Sequence, residues 1–300
     1  MQRTEFTGHD GKKISLVIWD DVSSPAGVIQ ISHGMAEHAM RYDGFAKEMN
    51  ERGFIVAADD HRAHGDTDGE TLGYSDGDIW ENTLADLNGI SKMLKQKYNL
   101  PLVLFGHSYG SFLTQAYIQR YSENLNAAII GGSCRLKTSL VNFGKLAADV
   151  GCLFKGKTAP AKFLAKNTFD AYNKKYSDGT TFISSIKSEC ERYSKDEKCD
   201  FICSYNFYRS FFGGAKKLYK KSNAAGINKD LPVLLIAGDG DPVGYYGEGV
   251  KNLQKFYKDN GVKNVELKLY GGVRHEYLND VSRGAVISDV YDFVLKNVKR

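Results

Sequence analysis

The sequence predicts an α/β fold with a mostly parallel sheet that is covered on both faces by helices. Short apolar runs alternate with amphipathic helices over residues 13–130, and the same alternation returns over residues 233–297. Strands of a parallel sheet are buried on both faces, so they read as continuous apolar runs. Residues 134–228 contain helical patches but no buried strand, which predicts a helical insertion into the sheet-forming chain.

The first region contains five predicted strands, the first two of which open the chain. They are Lys13–Ile18, Val28–Ile31, Phe54–Ala58, Leu102–Phe105 and Ala127–Ile130. Apolar residues at helical spacing predict helices at Arg41–Arg52, after the capping signal Asp78-x-x-Glu81, and from Gly106 to Tyr121. The Gly- and Asp-rich residues 64–78 are predicted to form a loop.

The second region adds two strands, Val233–Ala237 and Val265–Leu269, with helices near 247–259 and 282–297. The alternation is absent between Ser133 and the first of these strands. We therefore assign residues 1–133 and 229–300 to the core and residues 134–228 to a helical cap.

The composition is typical of a globular protein, with 42% hydrophobic and 25% charged residues. A net charge of +4 lacks the dense basic stripe of a nucleic-acid-binding protein. No apolar stretch reaches the roughly 18 residues that a membrane-spanning helix needs, and no apolar signal-peptide core follows the first residues. We therefore expect a cytoplasmic protein without a nucleic-acid partner or a transmembrane segment.

Cysteine usage agrees with that location. The five cysteines, an odd number, all fall between Cys134 and Cys203. An odd count argues against a disulfide framework and favours reduced thiols in a cytoplasmic protein. A zinc site built on Cys190, Cys199 and Cys203 would lack a second close pair and a nearby histidine, so we expect no metal site there.

The main catalytic signal is Gly106-His107-Ser108-Tyr109-Gly110. It follows a buried strand directly and begins a helix, the strand-turn-helix context in which Gly-x-Ser-x-Gly presents a nucleophilic serine. A serine hydroxyl needs a general base and an acid that orients this base. His275 is the only histidine after Ser108, which makes it the predicted base. Asp239 and Asp241 both follow the strand at Val233–Ala237, and both remain candidates for the acid at this point.

A tetrahedral intermediate also needs two hydrogen-bond donors for its oxyanion. The N–H of Tyr109, directly after the nucleophile, is one candidate. The N–H of Met35, in the loop after the strand Val28–Ile31, is the other, although His33-Gly34 could also be a plain turn.

A competing interpretation uses Asp59, Asp60, His61, His64 and Asp66 as metal ligands, because carboxylates and imidazoles bind zinc or manganese. Their spacing matches no known metal motif, so we expect a hydrogen-bonded loop beside the site instead.

Together these residues resemble the monoacylglycerol lipase and lysophospholipase group of α/β-hydrolases, which is similar to the serine aminopeptidase S33 hydrolases. The resemblance rests on His33–Tyr42, Asp60–Gly65, Gly106–Gly110, Leu235–Val243 and Arg274–Asn279. It covers nearly the whole core, and the loosely matched segment 134–228 is where the group carries its cap. Ala63 and Thr67 depart from the group, which usually has glycine and serine there.

The resemblance implies the catalytic triad Ser108, Asp241 and His275, and thus selects Asp241 over Asp239. It also implies an oxyanion hole formed by the N–H groups of Met35 and Tyr109. Further candidates for the substrate pocket are Gly34, Glu37, Arg41, Tyr208, Phe211 and Phe212. Glu37 and Arg41 match positions at the polar end of the pocket, although a surface ion pair is the alternative. The aromatic residues belong to a crowded stretch that either packs the cap or lines an acyl tunnel.

The predicted fold class is therefore an α/β-hydrolase fold with a helical cap inserted after the sixth core strand. The predicted function is that of a serine carboxylic-ester hydrolase that forms an acyl-enzyme with a single-chain lipid ester or another small ester. We expect no metal or organic cofactor, and at most transient contact with a membrane surface. The alternatives are a peptidase or thioesterase with the same triad and a non-catalytic ligand-binding homologue.

Overall fold

The structure is a computed structural model that describes residues 1–298. The chain forms one eight-stranded sheet. Its strands are β1 (Gln2–Thr7), β2 (Lys13–Trp19), β3 (Gly27–Ser32), β4 (Phe54–Asp59), β5 (Leu102–His107), β6 (Ala127–Gly131), β7 (Val233–Gly238) and β8 (Val265–Tyr270). The last two residues of the predicted 229–300 core segment lie outside the described residues.

The strand order is β1-β2-β4-β3-β5-β6-β7-β8. β2 pairs antiparallel with both β1 and β4, and every pairing from β4 to β8 is parallel. The carboxyl ends of the six parallel strands therefore lie at the same edge of the sheet. Open α/β sheets bind their ligands at this edge.

The helices lie on both faces of the sheet and in the segment between β6 and β7. They are α1 (Asp43–Glu51), α2 (Ile79–Tyr98), α3 (Tyr109–Tyr121), α4 (Thr138–Lys155), α5 (Lys162–Ala165), α6 (Ala171–Asn173), α7 (Lys187–Lys195), α8 (Tyr205–Ala215), α9 (Lys221–Ala224), α10 (Glu248–Asp259) and α11 (Arg283–Val298). Short 3₁₀ segments occur at Ala39–Tyr42, Ser122–Asn124 and Tyr277–Asn279, and a π segment occurs at Lys166–Asp170.

Alternate residues of the central strands pack into two separate apolar layers. Leu102 and Leu104 of β5 join the layer that contains α2, α3 and α10, whereas Val103 and Phe105 join the layer that contains α1 and α11. Because successive strand residues point to opposite faces, both sheet faces are covered. The predicted mostly parallel, doubly covered sheet is confirmed.

Strand β1 corrects the prediction that the strands at residues 13–18 and 28–31 open the chain. β1 lies at the edge of the sheet, and its residues are exposed except for Phe6, which is half-buried against Gly89 of α2. A polar edge strand has neither the apolar run nor the alternation that marks a buried strand, and for this reason the pattern missed it.

Between β6 and β7, the described chain contains helices α4 to α9 and no strand. Helix α4 packs closely along α8, because a Cβ atom at Gly144 would lie 2.3 Å from the ring of Phe212. Helix α8 in turn packs on α2, where Gly214 faces the ring of Trp80. The division into core and cap at residues 134 and 228 stays a prediction.

None of the helices within residues 1–298 combines the length and the apolar character that are needed to cross a membrane.

Candidate active site

Ser108 lies in a sharp turn between strand β5 and helix α3. Its backbone has φ 51° and ψ −118°, a strained conformation for a residue with a side chain. The turn is tight, since a Cβ atom at Gly110 would lie 1.9 Å from the carbonyl oxygen of Ser32, and one at Gly106 would lie 2.2 Å from Thr114 Oγ1. Glycine on both sides therefore permits the turn that presents the Ser108 hydroxyl at the carboxyl edge of the sheet.

The structure brings Ser108, His275 and Asp241 together from the ends of three strands. His275 Nε2 lies 2.8 Å from Ser108 Oγ, and His275 Nδ1 lies 2.9 Å from Asp241 Oδ2. Asp241 is fully buried, and its other oxygen accepts a hydrogen bond from the N–H of Val243. A carboxylate that accepts the Nδ1 proton leaves Nε2 with a lone pair directed at the serine hydroxyl.

The pKa of the His275 imidazole differs from that of a free histidine. Burial lowers the pKa of its imidazole, but the charge of Asp241 and the hydrogen bond to it outweigh burial, and the pKa of His275 lies above its ordinary value. The neighbouring His107 has the opposite tendency, because burial and the nearby His275 hold its pKa well below the ordinary value. At neutral pH, His107 is therefore a neutral neighbour of the base.

The structure places Asp239 away from the histidine. Its Oδ1 accepts a hydrogen bond from the N–H of Gly272 at 2.7 Å, in an exposed turn. Of the two carboxylates that compete in the sequence, only Asp241 contacts His275.

The two residues predicted to supply the oxyanion donors, Met35 and Tyr109, lie in the loop after β3 and at the start of α3. Both residues line the cavity into which Ser108 opens. Among the described residues, neither N–H donates a hydrogen bond to another group of the protein. Tyr109 is the first residue of its helix, where no intrahelical acceptor exists. Both donors are therefore available to a ligand.

A buried ion-pair cluster supports the loop that contains Met35. Glu37 Oε1 accepts hydrogen bonds from the Gly34 N–H at 2.5 Å and from the Tyr42 hydroxyl at 2.9 Å. Arg41 pairs with Glu37 and with Glu276, the residue after the base, and all three side chains are about 95% buried. Burial, followed by the charge of Glu276, raises the pKa of Glu37. Arg41 thus joins the loop after β3 to the loop that holds His275.

A second Ser–His–Asp arrangement lies beneath the first. His61 Nδ1 lies 2.7 Å from Asp59 Oδ2, and His61 Nε2 lies 2.9 Å from Ser32 Oγ. Ser32 and His61 are completely buried, and Asp59 is 1% exposed. The three residues lie at the ends of β3 and β4, and these two strands are neighbours in the sheet.

The other residues of the possible metal cluster, and His33 beside them, also form hydrogen bonds with neighbouring groups of the protein. His64 Nε2 accepts a hydrogen bond from the Ala36 N–H, and burial lowers the pKa of His64 to about 3. The two carboxylate oxygens of Asp60 accept hydrogen bonds from the N–H groups of Ala39 and Asp66. His33 Nε2 accepts from the His61 N–H, so its Nδ1–H donates to the Gly34 carbonyl. These bonds fix the loop after β3.

The two departures from the related group lie in this supporting loop. Ala63 has φ 72°, a conformation that glycine adopts without strain. Thr67 Oγ1 donates to the Asp60 carbonyl and accepts from the Ser15 N–H, two bonds that a serine hydroxyl could also make.

An apolar cavity of about 380 Å³ opens onto Ser108. The predicted residues Tyr208, Phe211 and Phe212 line it, together with Phe112 and Tyr172. The structure adds Leu140, Phe143 and Leu164 from α4 and α5, which the sequence analysis did not single out.

A narrow polar pocket meets this cavity at Ser108. The pocket has a volume of about 20 Å³, and its polar part is formed by Gly34, Glu37, His107, Tyr193, His275 and Glu276. Phe169, Phe182 and Ile183 also line it. Arg41 does not line this pocket; it lines a neighbouring cleft of about 170 Å³ behind Glu37 and Glu276. The nucleophile therefore lies at the junction of an apolar and a polar compartment.

Comparison with known proteins assigns the chain to a family. The sequence profile described as "Serine aminopeptidase, S33" matches residues 23–282. The chain belongs to this family. It is a serine hydrolase of the α/β-hydrolase fold, which confirms the class that the sequence predicts.

Relatives cover almost the full length of the chain. The monoacylglycerol lipase of Mycolicibacterium smegmatis is 24% identical, with 98% of this chain and 96% of that protein aligned. A lipase solved in an open form has a TM-score of 0.85 at 29% identity and covers 100% of this chain and 99% of its own. A thermostable carboxyl esterase from Bacillus coagulans, solved with glycerol, has a TM-score of 0.88 at 27% identity, over 99% and 98% of the two chains.

Sequence reasoning missed two features of the site. One is Glu276, whose position next to His275 was the only available signal. The other is the pairing of Ser32 with His61, because nothing in the spacing shows that the ends of β3 and β4 lie side by side.

Proposed function

We propose that the enzyme hydrolyses monoacylglycerols or similar single-acyl esters through an acyl-enzyme on Ser108. The observation that carries the proposal is the position of Ser108, with its base at 2.8 Å, where a single apolar cavity meets a polar pocket. An ester of one fatty acid and a small hydroxylated alcohol has an apolar chain on one side of its carbonyl group and a polar group on the other.

The contacts of the three residues define their steps. Ser108 Oγ attacks the ester carbonyl while His275 Nε2 accepts its proton, and Asp241 holds the imidazole by its Nδ1–H. The N–H groups of Met35 and Tyr109 stabilise the oxyanion, each donor contributing about 10²- to 10³-fold to the rate. His275 then protonates the leaving alcohol, and a water molecule activated by His275 releases the fatty acid.

The apolar cavity supports an acyl chain as the occupant on one side of Ser108. Its lining is mainly aromatic and aliphatic and includes side chains of α4, α5 and α8, and its volume lies in the range of ligand pockets. A relative also supports an acyl-chain substrate, since the similar protein from Mycolicibacterium smegmatis is a monoacylglycerol lipase.

The polar pocket supports a hydroxylated alcohol on the other side. Glu37, Tyr193 and Glu276 are among the residues that line this pocket with Ser108, and the homologous esterase from Bacillus coagulans was solved with glycerol. Both carboxylates pair with Arg41, so neither is free to bind the ammonium group of a peptide N-terminus. This pairing favours a neutral alcohol over the peptide substrate of an aminopeptidase.

The proposal includes transient contact with a lipid surface through helix α4. Six large apolar side chains of this helix are 47–78% exposed: Leu140, Phe143, Leu146, Val150, Leu153 and Phe154. Leu140 and Phe143 also line the apolar cavity, so the exposed face is continuous with the path to Ser108. Soluble proteins rarely expose such a row, and amphipathic helices of this kind lie in lipid interfaces.

The proposal also places the enzyme in the cytoplasm. Five unpaired cysteines support a reducing compartment.

A substrate panel tests the proposed function. We expect monoacylglycerols to have the highest kcat/KM, followed by lysophospholipids and by nitrophenyl esters of graded chain length. Aminoacyl-nitroanilides serve as the peptidase comparison and acyl-CoA as the thioesterase comparison. Preference for either comparison substrate over every oxygen ester would contradict the proposal, as would stable binding of monoacylglycerol without turnover.

A matched pair of variants tests the lipid contact. Leu153→Asp combined with Phe154→Asp should reduce binding to phosphatidylcholine vesicles that contain monoacylglycerol, whereas hydrolysis of a short soluble ester should stay unchanged. Val281→Asp replaces another exposed apolar residue, one that lies outside α4 and is 65% exposed, and is the control. Equal vesicle binding by both variants would rule out α4 as the contact.

A further inference from the structure

Three side chains of metal-binding types lie together beside the candidate active site. One ring nitrogen of His38, one carboxylate oxygen of Asp196 and the Sγ of Cys199 are all within 4.8 Å of one another. His38 follows the loop that contains Met35, whereas Asp196 and Cys199 belong to the segment between α7 and α8. The cluster therefore joins two segments that are far apart in sequence.

The cluster has an unsatisfied member. Cys199 is 6% exposed, and its thiol makes no hydrogen bond to another described residue. Its two polar neighbours are already in contact, since His38 Nε2 lies 2.9 Å from Asp196 Oδ2. The Asp196 side chain is 31% exposed, which gives an ion a path from solvent.

The chemistry of this donor set favours a borderline divalent cation. Imidazole, thiolate and carboxylate are the three common protein ligands of Zn²⁺, with bonds of roughly 2.0–2.3 Å. In a tetrahedral site such ligand atoms lie roughly 3.3–3.7 Å apart, so small movements of these side chains would complete three corners. Water can occupy the fourth position, as in other open zinc sites.

The surrounding charges also permit a cation. Burial raises the pKa of the Cys199 thiol, a cost that zinc must offset by binding the thiolate. The nearby guanidinium of Arg41 is paired with the carboxylates of Glu37 and Glu276. Lys198, next to Cys199 in sequence, is paired with Asp66. Asp196 adds a further negative charge.

We propose that His38, Asp196 and Cys199 form a zinc-binding site, separate from the hydrolytic reaction, that ties residues 196–200 to the loop after β3. This loop already receives one bond from the same segment, as the Asp200 N–H donates to the Ala36 carbonyl. A bound ion would add a second link through His38, three residues after Met35.

Zinc binding to the full-length, chelator-treated enzyme tests the site. We expect one equivalent of Zn²⁺ to bind and to raise the Tm with increasing zinc concentration, because a ligand that binds only the folded state stabilises it. Cys199→Ser and His38→Ala should each weaken binding by at least about tenfold. Cys152→Ser and His9→Ala remove a thiol and an imidazole outside the cluster, and both should bind as the wild type does.

Cobalt substitution gives a second measurement that does not depend on stability. Co²⁺ bound to wild type should show thiolate-to-cobalt charge-transfer absorption, which Cys199→Ser should abolish and Cys152→Ser should retain. Zinc bound at His275 instead would survive Cys199→Ser unchanged. That result, or the absence of stoichiometric binding by wild type, would overturn the proposal.

Discussion

Two Ser–His–Asp arrangements lie at the carboxyl edge of the same sheet, with similar geometry and different surroundings. In one, His275 lies 2.8 Å from Ser108 and 2.9 Å from Asp241. In the other, His61 lies 2.9 Å from Ser32 and 2.7 Å from Asp59. Distances between the three side chains therefore do not distinguish a candidate nucleophile from a structural hydroxyl.

The surroundings of the two serines do distinguish them. Ser108 has a strained backbone and lines the apolar cavity together with Met35 and Tyr109, whose N–H groups are available to a ligand. Ser32 is completely buried, and its carbonyl oxygen lies against Gly110. Access to a cavity and available oxyanion donors, rather than the hydrogen-bonded chain alone, favour Ser108 as the nucleophile.

The largest expected difference between the two arrangements is in turnover. Ser108→Ala should reduce kcat by about 10⁴- to 10⁶-fold, because the nucleophile is lost. Ser32→Ala should retain kcat within about tenfold, because it removes a hydrogen bond without touching the substrate. Steady-state kinetics on purified, folded protein measure both. If Ser108→Ala kept more than a tenth of the wild-type activity, Ser108 would not be the nucleophile.

Substitution of Asp241, the acid of the triad, should give the next largest loss of kcat. Asp241→Asn should lower kcat by about 10⁴-fold, because an amide no longer holds His275 in the productive tautomer. Asp239→Asn is the matched control, and it should change kcat by less than about threefold since Asp239 contacts an exposed turn. Similar losses in both variants would show that the contact between Asp241 and His275 does not decide which carboxylate acts as the acid of the triad.

The pH dependence of kcat/KM reports on the base. His275 must be neutral to accept a proton, and its pKa lies above the ordinary value, so activity should already be lost as the pH falls through a midpoint above about 6.5. A histidine with an unshifted pKa would place this midpoint at about 6.5. A flat profile between pH 5 and 8, measured with a neutral ester, would argue against His275 as the base.

The smallest expected effect concerns stability. Ser32→Ala leaves the buried Nε2 of His61 without a partner and should lower the free energy of unfolding by about 1–3 kcal/mol. Ser108→Ala should leave stability nearly unchanged, since Ser108 lies at a cavity where water can replace its hydroxyl as the partner of His275 Nε2. Urea unfolding of the two variants compares them directly, and equal stabilities would contradict a structural role for Ser32.

The sequence predicts the parts of this fold that are local or strongly apolar. Strands β2 to β8 carry either an apolar run or an alternation of apolar and polar residues and are recognised, whereas the polar edge strand β1 has neither. The turn at Ser108 is predictable because it is a five-residue motif in a strand-turn-helix context. His275 is a candidate because no other histidine follows Ser108.

Features that depend on neighbouring strands or on the exposed face of a helix could not be predicted. The residues Asp59 and His61 attract attention in the sequence as possible metal ligands, but their bond to Ser32 requires the adjacency of β3 and β4. Helix α4 shows apolar residues at helical spacing, yet only the structure shows that Leu153 and Phe154 are 78% exposed.

A fluorophosphonate probe tests the central claim most directly, because it forms a covalent bond only with an activated serine. We predict one equivalent of label on the wild-type enzyme, located by peptide mass spectrometry at Ser108, with labelling lost in Ser108→Ala and retained in Ser32→Ala. Label on Ser32, or a folded wild-type enzyme that takes up no label, would contradict the account.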